Sequence, residues 1–239
     1  MKPPLDCDAV LVDATGTLFH PSPCVGAVYA RVAAAHGWQA DAAALDEGFR
    51  AAWRERAPGR YADDPERRTS DAVEKAWWRG TVRRTFELAG FPPPDAACFK
   101  GIFDAFADPA AWRLFPDALP ALEALRQRGL TLGIVSNFDT RLRRICDGLG
   151  LTRVVDFVLP SAEAGVAKPS PRIFEAAAGL AGTEPARTLM VGDSPDDDVA
   201  GARAAGCLAL LLDRQVMSPL PDAIRSLAEL LPLVRARTA

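Results

Sequence analysis

Residues 9–17 read Ala-Val-Leu-Val-Asp-Ala-Thr-Gly-Thr, a short apolar run followed at once by an acidic, hydroxyl-rich turn. Four more apolar runs of strand length occur at 130–135, 157–159, 189–191 and 207–212. None of these runs alternates polar with apolar residues, and continuous apolar strands are typical of parallel sheets buried on both faces. We therefore predict an α/β core built on five parallel strands.

Helical patterns alternate with the last four of these strands. They cover residues 118–128, 141–149, 171–181 and 197–205. Strands that alternate with helices indicate right-handed crossovers and an open sheet with helices on both sides. The sequence thus predicts a Rossmann-like, doubly wound parallel sheet as the core of the fold.

A long helical insert interrupts this alternation after the first strand. Residues 20–112 contain no strand-like run, and their apolar and aromatic residues recur at three- and four-residue spacing, which is typical of helices. Proline and glycine clusters separate four helical segments, at 26–36, 42–56, 70–89 and 95–106. We predict an all-helical cap domain at 20–112 and a core domain formed by 1–19 and 113–239.

The bulk composition excludes several classes of protein. Apolar residues make up 49% and charged residues 25% of the chain, and the formal net charge of -3 gives no reason to expect nucleic acid or an acidic membrane as a partner. The five cysteines are scattered without a C-x-x-C pair, which is typical of free thiols in a reducing compartment. Neither a signal peptide nor an apolar stretch of about 18 residues is visible. We expect a cytoplasmic protein that binds neither nucleic acid nor membrane.

Several carboxylates follow the predicted strands. Asp13 comes after the first strand, and Asp193 comes after the fourth, with Asp197 and Asp198 close behind it. Ligands of parallel α/β sheets bind where the strands end at their carboxyl edge, so these acids should share one cleft. Like charges at close range need a cation, and carboxylate oxygens without a nearby histidine or cysteine favour Mg²⁺ over Zn²⁺. The sequence therefore predicts a magnesium site.

Hydrogen-bond donors follow the same strands. Thr17 belongs to the turn after the first strand, Ser136 and Asn137 follow the second, and Lys168 lies in the loop beyond the third. An anion next to a cation, held by these donors, would balance the charges of the cleft. We therefore assign Thr17, Ser136, Asn137 and Lys168 to a phosphate-binding site.

These residues lie in four segments of the chain, at 13–17, 136–137, 168–169 and 192–198. In this order the segments resemble the four signature motifs of the haloacid dehalogenase-like hydrolases, and the insert lies where that family carries its helical cap. The resemblance covers essentially the whole chain. It implies that Asp13 attacks phosphorus to form an aspartyl-phosphate, which water then hydrolyses. It also implies that Ser136 and Lys168 bind the transferred phosphoryl group, and that Asp193 holds Mg²⁺ with support from Asp198 or Asp197. The helical content of the insert and its placement after the first strand predict that it closes over Asp13 as a lid.

Thr15 departs from the pattern of the family's phosphatases, which carry an aspartate two residues after the nucleophile. That aspartate protonates the leaving group and then activates water, whereas the pKa of a threonine hydroxyl lies far from 7. General acid–base assistance typically contributes about 10²–10⁴-fold, so we expect slow turnover. The backbone carbonyl of Thr15, which ligates Mg²⁺ in the family, remains available, and Thr15 therefore stays among the predicted catalytic and metal-binding residues.

We predict a Mg²⁺-dependent hydrolase that acts on a small phosphate ester. One alternative is an enzyme of the L-2-haloacid dehalogenase type, which attacks carbon without a metal, and Asp193 argues against it. A second alternative is a catalytically impaired protein that binds a phosphorylated ligand or regulates in response to it, and Thr15 favours this hypothesis. A burst of phosphate without turnover would distinguish the second alternative from an enzyme.

Overall fold

The computed structural model describes residues 5–61, 63–214 and 223–235. In chain order the strands are β1 (Leu5–Asp6), β2 (Ala9–Val12), β3 (Phe19–Pro21), β4 (Trp112–Leu114), β5 (Thr131–Ser136), β6 (Phe157–Pro160), β7 (Thr188–Gly192), β8 (Leu208–Leu211) and β9 (Val234–Arg235). The central sheet is parallel and has the order β6-β5-β2-β7-β8. The five apolar runs are these five strands, so the prediction of a parallel α/β core is confirmed.

Ten α-helices surround the strands: α1 (Val25–Ala35), α2 (Ala42–Arg56), α3 (Asp71–Leu88), α4 (Ala96–Ala105), α5 (Ala118–Gln127), α6 (Arg141–Gly148), α7 (Ser161–Ala164), α8 (Pro171–Leu180), α9 (Gly201–Ala204) and α10 (Leu230–Leu233). This count covers only the described ranges. No helix within those ranges is long and apolar enough to cross a membrane.

Helices cover both faces of the central sheet. Leu122 of α5 and Ile145 of α6 are fully buried against one face, together with apolar residues near the C-terminus. Phe174 of α8 and Ala202 of α9 are buried against the other face. The strands are buried on both sides because helices pack on both sides, which explains why their sequences are apolar throughout. The doubly wound core is therefore confirmed.

The inserted helices α1 to α4 pack around a hydrophobic core of their own. Tyr29, Leu45, Phe86 and Ile102 are among its most buried members. Three of the four helices begin with a side chain that accepts a backbone N–H, from Asp41 in α2, Ser70 in α3 and Asp95 in α4. Such caps satisfy donors that the first helical turn leaves unpaired. The insert is thus helical, as its spacing predicts.

The chain enters and leaves the insert through a two-stranded antiparallel ribbon. Strands β3 and β4 pair Phe19 with Leu114 and Pro21 with Trp112. The rings of Phe19 and Trp112 meet edge to face, with their centroids 5.2 Å apart. Sequence periodicity does not reveal this ribbon, because three-residue strands are too short to show an alternation.

The segment after β7 differs from the helix predicted at 197–205. It forms a π-helical turn, Pro195–Ala200, that continues into the short helix α9. Ser194 caps the turn: its hydroxyl accepts the N–H of Asp197 at 3.0 Å, and its carbonyl accepts the N–H of Val199 at 3.2 Å. Wide turns of this kind are frequent at functional sites.

Candidate active site

The residues at the carboxyl ends of β2, β5 and β7 meet at one edge of the sheet. Val12 pairs with Ile134 on one side and with Val191 on the other, so the three strands end at the same level. Asp13 continues the hydrogen bonding between β2 and β7, because its N–H donates to the carbonyl of Val191 at 2.9 Å. Ser136 and Asp193 therefore lie beside Asp13, as the sequence predicts.

Lys168 lies beneath these residues and is 2% exposed. Its ammonium group donates to Asp13 Oδ1 and Asp198 Oδ1, both at 2.5 Å, and to the carbonyl oxygen of Val135 at 3.1 Å. Burial alone would lower the pKa of Lys168, but the charges of Asp13 and Asp198 outweigh it and raise the pKa above its usual value. Lys168 is therefore a permanent cation that fixes one oxygen of each carboxylate.

Three carboxylates lie close together at this point. One oxygen each from Asp13, Asp193 and Asp198 can be chosen such that all three lie within 4.8 Å of one another. Removal of water by the surrounding protein raises the pKa of Asp193 to about 7, and the charges of Asp13 and Asp198 raise it further. Burial likewise raises the pKa of Asp198 to about 6, although Lys168 opposes the shift. Three carboxylates and one ammonium leave two negative charges, which match the charge of Mg²⁺.

Two glycines make room for the carboxylates. Gly16 has a φ of +90°, and a Cβ atom there would lie 2.4 Å from Asp193 Oδ2. At Gly192 a Cβ atom would lie 2.2 Å from Asp198 Oδ2. Any side chain at either position would displace a member of the carboxylate cluster. Glycine is therefore required at position 16 for two reasons: a side chain would clash with Asp193, and the left-handed backbone conformation favours glycine.

The cluster fits a divalent cation of the hard type. All its donors are oxygens, and the net charge is opposite to that of Mg²⁺. Burial is the main cause of the raised pKa values, and the neighbouring carboxylates add to it, so a cation would relieve a charge that the site holds at a cost. Asp198 belongs to the cluster, whereas Asp197 does not. The sequence leaves these two residues as alternatives, and the geometry selects Asp198 as the partner of Asp13 and Asp193.

Thr15 lies in the turn that follows β2, two residues after Asp13. Its hydroxyl oxygen is buried and has no hydrogen-bond partner among the described residues. More than nine in ten buried polar groups are paired, so an unpaired hydroxyl beside Asp13 indicates a place where a ligand or water completes the hydrogen bonding. Thr15 lines the same cavity as Asp13.

The predicted anion-binding residues occupy different places. Ser136 is 4% exposed and lines the cavity next to Asp13. The side-chain amide of Asn137 instead bonds both backbone groups of Lys168, accepting its N–H at 2.7 Å and donating to its carbonyl at 3.0 Å. Thr17 is fully buried and donates to Asp193 Oδ1 at 3.3 Å. The structure therefore brings Ser136, Asn137 and Lys168 to the cavity wall, where the amide of Asn137 holds Lys168 in place, while Thr17 lies outside the wall and bonds Asp193.

A cavity of about 830 Å³ extends from Asp13 into the helical insert. Its floor is formed by the core residues described above, and its upper wall by residues of the insert. The insert therefore lies over the carboxyl edge of the sheet, where the sequence analysis expects a lid.

Direct hydrogen bonds hold the insert against the core. Asp71, at the start of α3, accepts the backbone N–H and the hydroxyl of Thr140 at 2.9 and 3.0 Å. The N–H of Thr69 donates to the carbonyl of Gly165, and the N–H of Ala167 donates to the carbonyl of Arg67. The second pair ends one residue before Lys168. The position of the insert is thus tied to the loop that carries the buried lysine.

A buried ion pair braces the wall of the cavity that belongs to the insert. Glu74 is fully buried and pairs with Arg60, whose side chain is 10% exposed. The hydroxyls of Tyr61 and Thr69 both donate to the other oxygen of Glu74 at 2.6 Å. Arg60 also reaches across to the carbonyl of Asn137 at 3.5 Å. Sequence reasoning missed this network, because single charged residues on helices resemble a solvated surface and no motif marks them.

Comparison with known proteins identifies the family of the chain. The model of the haloacid dehalogenase-like hydrolases matches residues 7–206. The human haloacid dehalogenase-like hydrolase domain-containing protein 3 is 36% identical over 230 residues, which cover 92% of this chain and 90% of that protein. A phosphoserine phosphatase of Thermus thermophilus is 33% identical over 201 residues, 74% of this chain and 80% of that one. The crystal structure of a 2-haloacid dehalogenase from Pseudomonas syringae pv. Tomato superimposes with a TM-score of 0.64 at 27% identity, covering 95% and 97% of the two chains.

Proposed function

The chain belongs to the haloacid dehalogenase-like hydrolases, and from this premise we propose that it is a Mg²⁺-dependent phosphatase that acts on a small phosphate ester. The observation that carries the proposal is the cluster of Asp13, Asp193 and Asp198 around the buried ammonium group of Lys168. The similarity to a phosphoserine phosphatase supports the reaction class. A hydrolase without a metal would not need Asp193 beside two other carboxylates.

The nucleophile in this proposal is Asp13. Lys168 holds Oδ1, so Oδ2 is the oxygen left to attack phosphorus. The bond between phosphorus and the leaving oxygen breaks as the aspartyl-phosphate forms, and the leaving oxygen takes a proton from water. A water molecule then attacks the phosphorus, which releases inorganic phosphate and restores the carboxylate.

The other residues position and stabilise the reacting groups. The Ser136 hydroxyl and the Lys168 ammonium group offer donors to the phosphoryl oxygens. The groups that would hold Mg²⁺ are the carboxylates of Asp13, Asp193 and Asp198 and the backbone carbonyl of Thr15, and the ion when bound supplies positive charge beside the phosphoryl group. We assign to Thr17 and Asn137 the positioning of Asp193 and Lys168, respectively.

Calorimetric titration tests the metal site. We expect Mg²⁺ binding by the wild-type protein, and we expect Asp193→Asn to abolish it. Asp196→Asn is the matched control, because Asp196 lies in the same segment but outside the carboxylate cluster. Equal Mg²⁺ affinity in the wild type and in Asp193→Asn would refute the assignment.

A phosphate-release assay tests the nucleophile. Asp13→Asn should lose turnover while its circular dichroism spectrum stays unchanged, and beryllofluoride should bind to the wild type and not to this variant. Release of one equivalent of phosphate per wild-type chain without further turnover would favour the impaired phospho-ligand-binding protein instead.

One second candidate function rests on a specific observation, the similarity to a 2-haloacid dehalogenase of known structure. The same Asp13 would then attack a carbon atom and release halide. Halide release from an L-2-haloacid in the presence of a chelator would support this candidate, whereas phosphate release that stops when Mg²⁺ is removed would support the phosphatase.

A further inference from the structure

The half of the cavity that extends into the insert is walled by aromatic rings. Phe49, Trp53, Trp78, Phe99 and Phe103 line it. Their rings come from α2, α3 and α4, so three helices contribute to one apolar chamber. A phosphate ester with two or three carbon atoms would leave most of the 830 Å³ empty, because cavities of about 300–1,000 Å³ hold ligands of drug size.

Two hydrogen-bond donors in this chamber have no partner among the described residues. They are the indole Nε1 of Trp78 and the Nε of Arg60, and both atoms are buried. The two groups are neighbours, with the guanidinium carbon of Arg60 5.9 Å from the centre of the Trp78 ring. A buried donor without an acceptor is costly, by about 1–3 kcal/mol for each group. Both residues line the cavity, so a small rotation of either side chain brings its unpaired donor to an acceptor on a ligand.

The charge of the chamber argues against a second anionic group as that ligand. Glu74 neutralises Arg60 from within the insert. The face of the guanidinium group lies against the ring of Trp77, at 4.5 Å from its centre. Of the other arginines that line the cavity, Arg141 is paired with Asp139, and Arg67 lies at the core end, where its charge acts on Asp197. The unpaired donors of the chamber therefore belong to an indole and to an arginine whose charge is already paired. A neutral, planar group with hydrogen-bond acceptors satisfies both the aromatic walls and the unpaired donors.

We infer that the chamber binds a heteroaromatic ring, and hence that the substrates are phosphate esters of nucleotide size, in the class of nucleoside monophosphates. The inference rests on the proposed phosphatase function for the phosphate end of the ligand. The ring stacks between aromatic side chains of the insert and accepts hydrogen bonds from Trp78 and Arg60, while the phosphate group lies at Asp13.

A matched pair of esters tests the ring. Adenosine 5′-monophosphate and ribose 5-phosphate carry the same 5-phosphorylated sugar and differ in the base. We expect kcat/KM for the nucleotide to exceed that for ribose 5-phosphate by about tenfold or more, the range that stacking of one base on aromatic side chains provides. Trp78→Phe keeps a ring and removes the donor, and Trp78→Leu removes both, so the advantage should fall in two steps. Trp38→Phe is the control, because Trp38 lies in the insert but does not line the cavity.

Calorimetry with the same two ligands and wild-type protein separates this inference from the proposed function. Tighter binding of the nucleotide supports the chamber even if neither ester is hydrolysed, in which case the phosphatase proposal fails alone. Hydrolysis of both esters at equal kcat/KM, with equal affinity, overturns the chamber and leaves the phosphatase intact. An advantage of the nucleotide that survives in Trp78→Leu overturns the assignment of the ring to this chamber.

Discussion

At the scale of single residues, the Thr15 hydroxyl is the feature that bears most directly on the turnover rate. It is buried without a partner among the described residues, and Thr15 lines the same cavity as Asp13, two positions away along the chain. A threonine can accept or donate a hydrogen bond there, but it cannot exchange a proton with the leaving group near neutral pH. In the proposed phosphatase mechanism, Thr15 therefore leaves the protonation of the leaving oxygen unassisted.

We expect Thr15→Asp to raise kcat by tenfold or more, which corresponds to about 1.4 kcal/mol of transition-state stabilisation. The pH–rate profile should gain a limb from the new carboxylic acid. Steady-state assays at saturating Mg²⁺ with several leaving groups provide the measurement. If esters with poor leaving groups gain no more than esters with good ones, proton donation does not limit the reaction and Thr15 serves another chemistry.

The carboxylates of Asp193 and Asp198 make metal binding dependent on pH. Their pKa values are raised to about 7 and about 6, so both carry protons at lower pH that Mg²⁺ must displace. Affinity should be highest above pH 7 and should fall as the pH decreases through 7 and 6. We expect the dissociation constant for Mg²⁺ to rise by about tenfold or more between pH 8 and pH 5.5. Titration calorimetry across this range measures it, and a constant affinity would contradict the assigned ligands.

At the scale of elements, α3 is joined to the loop before it by the buried pair of Arg60 and Glu74. Removing one partner of a buried pair leaves the other charge unpaired, which typically costs about 3–5 kcal/mol. We therefore expect Glu74→Gln to lower the free energy of unfolding by an amount in this range. The charge of Arg60 would then face the cavity, so affinity for anionic ligands should increase at the same time.

Glu55→Gln provides the control for that prediction. Glu55 pairs with Arg84 at the surface, where the side chains are 47% and 37% exposed. Exposed ion pairs contribute little, so urea denaturation should detect no change for this variant. A loss of stability of equal size in both variants would mean that burial does not distinguish the two pairs.

At the scale of the whole molecule, a few backbone amide groups form hydrogen bonds between the insert and the core. The N–H groups of Thr69, Thr140 and Ala167 each bond across the boundary between insert and core. If the insert opens and closes as a lid, these amides exchange with solvent in the open state. We expect Mg²⁺ with beryllofluoride to slow their hydrogen exchange. The amide of Leu132, which bonds to Asp156 within the core, is the control. Unchanged exchange at all three boundary amides would exclude a lid that responds to the phosphoryl group.

Much of this architecture is predictable from sequence for a physical reason. Strands buried on both faces must be apolar throughout, and parallel strands must bring their carboxyl ends to one edge. The convergence of Asp13, Ser136 and Asp193 therefore follows once the strands are identified. The order of the strands in the sheet does not follow, because apolar runs such as 157–159 and 189–191 contain nothing that specifies a neighbour.

The aromatic chamber lies beyond what sequence periodicity can reveal. Aromatic residues at helical spacing predict burial, and Tyr29 and Phe86 are indeed buried in the insert. The same spacing also describes Trp78 and Phe103, which line the cavity. Whether a ring faces a packed core or an open space depends on how the four helices cross, and that is a property of the assembled insert. Helical spacing alone therefore does not separate the rings that line the cavity from those that are packed.

The ribbon of β3 and β4 sets the two ends of the insert side by side, with Pro21 opposite Trp112. A short turn between these positions would reconnect the core without moving either strand. The insert can accordingly be replaced by another helical domain at this junction. Such a replacement changes which molecules reach Asp13 and leaves the sheet that carries Asp13 unchanged. The same junction allows the insert to be expressed as a separate fragment with adjacent ends, and permits a chimera in which reactivity comes from one parent and selectivity from another.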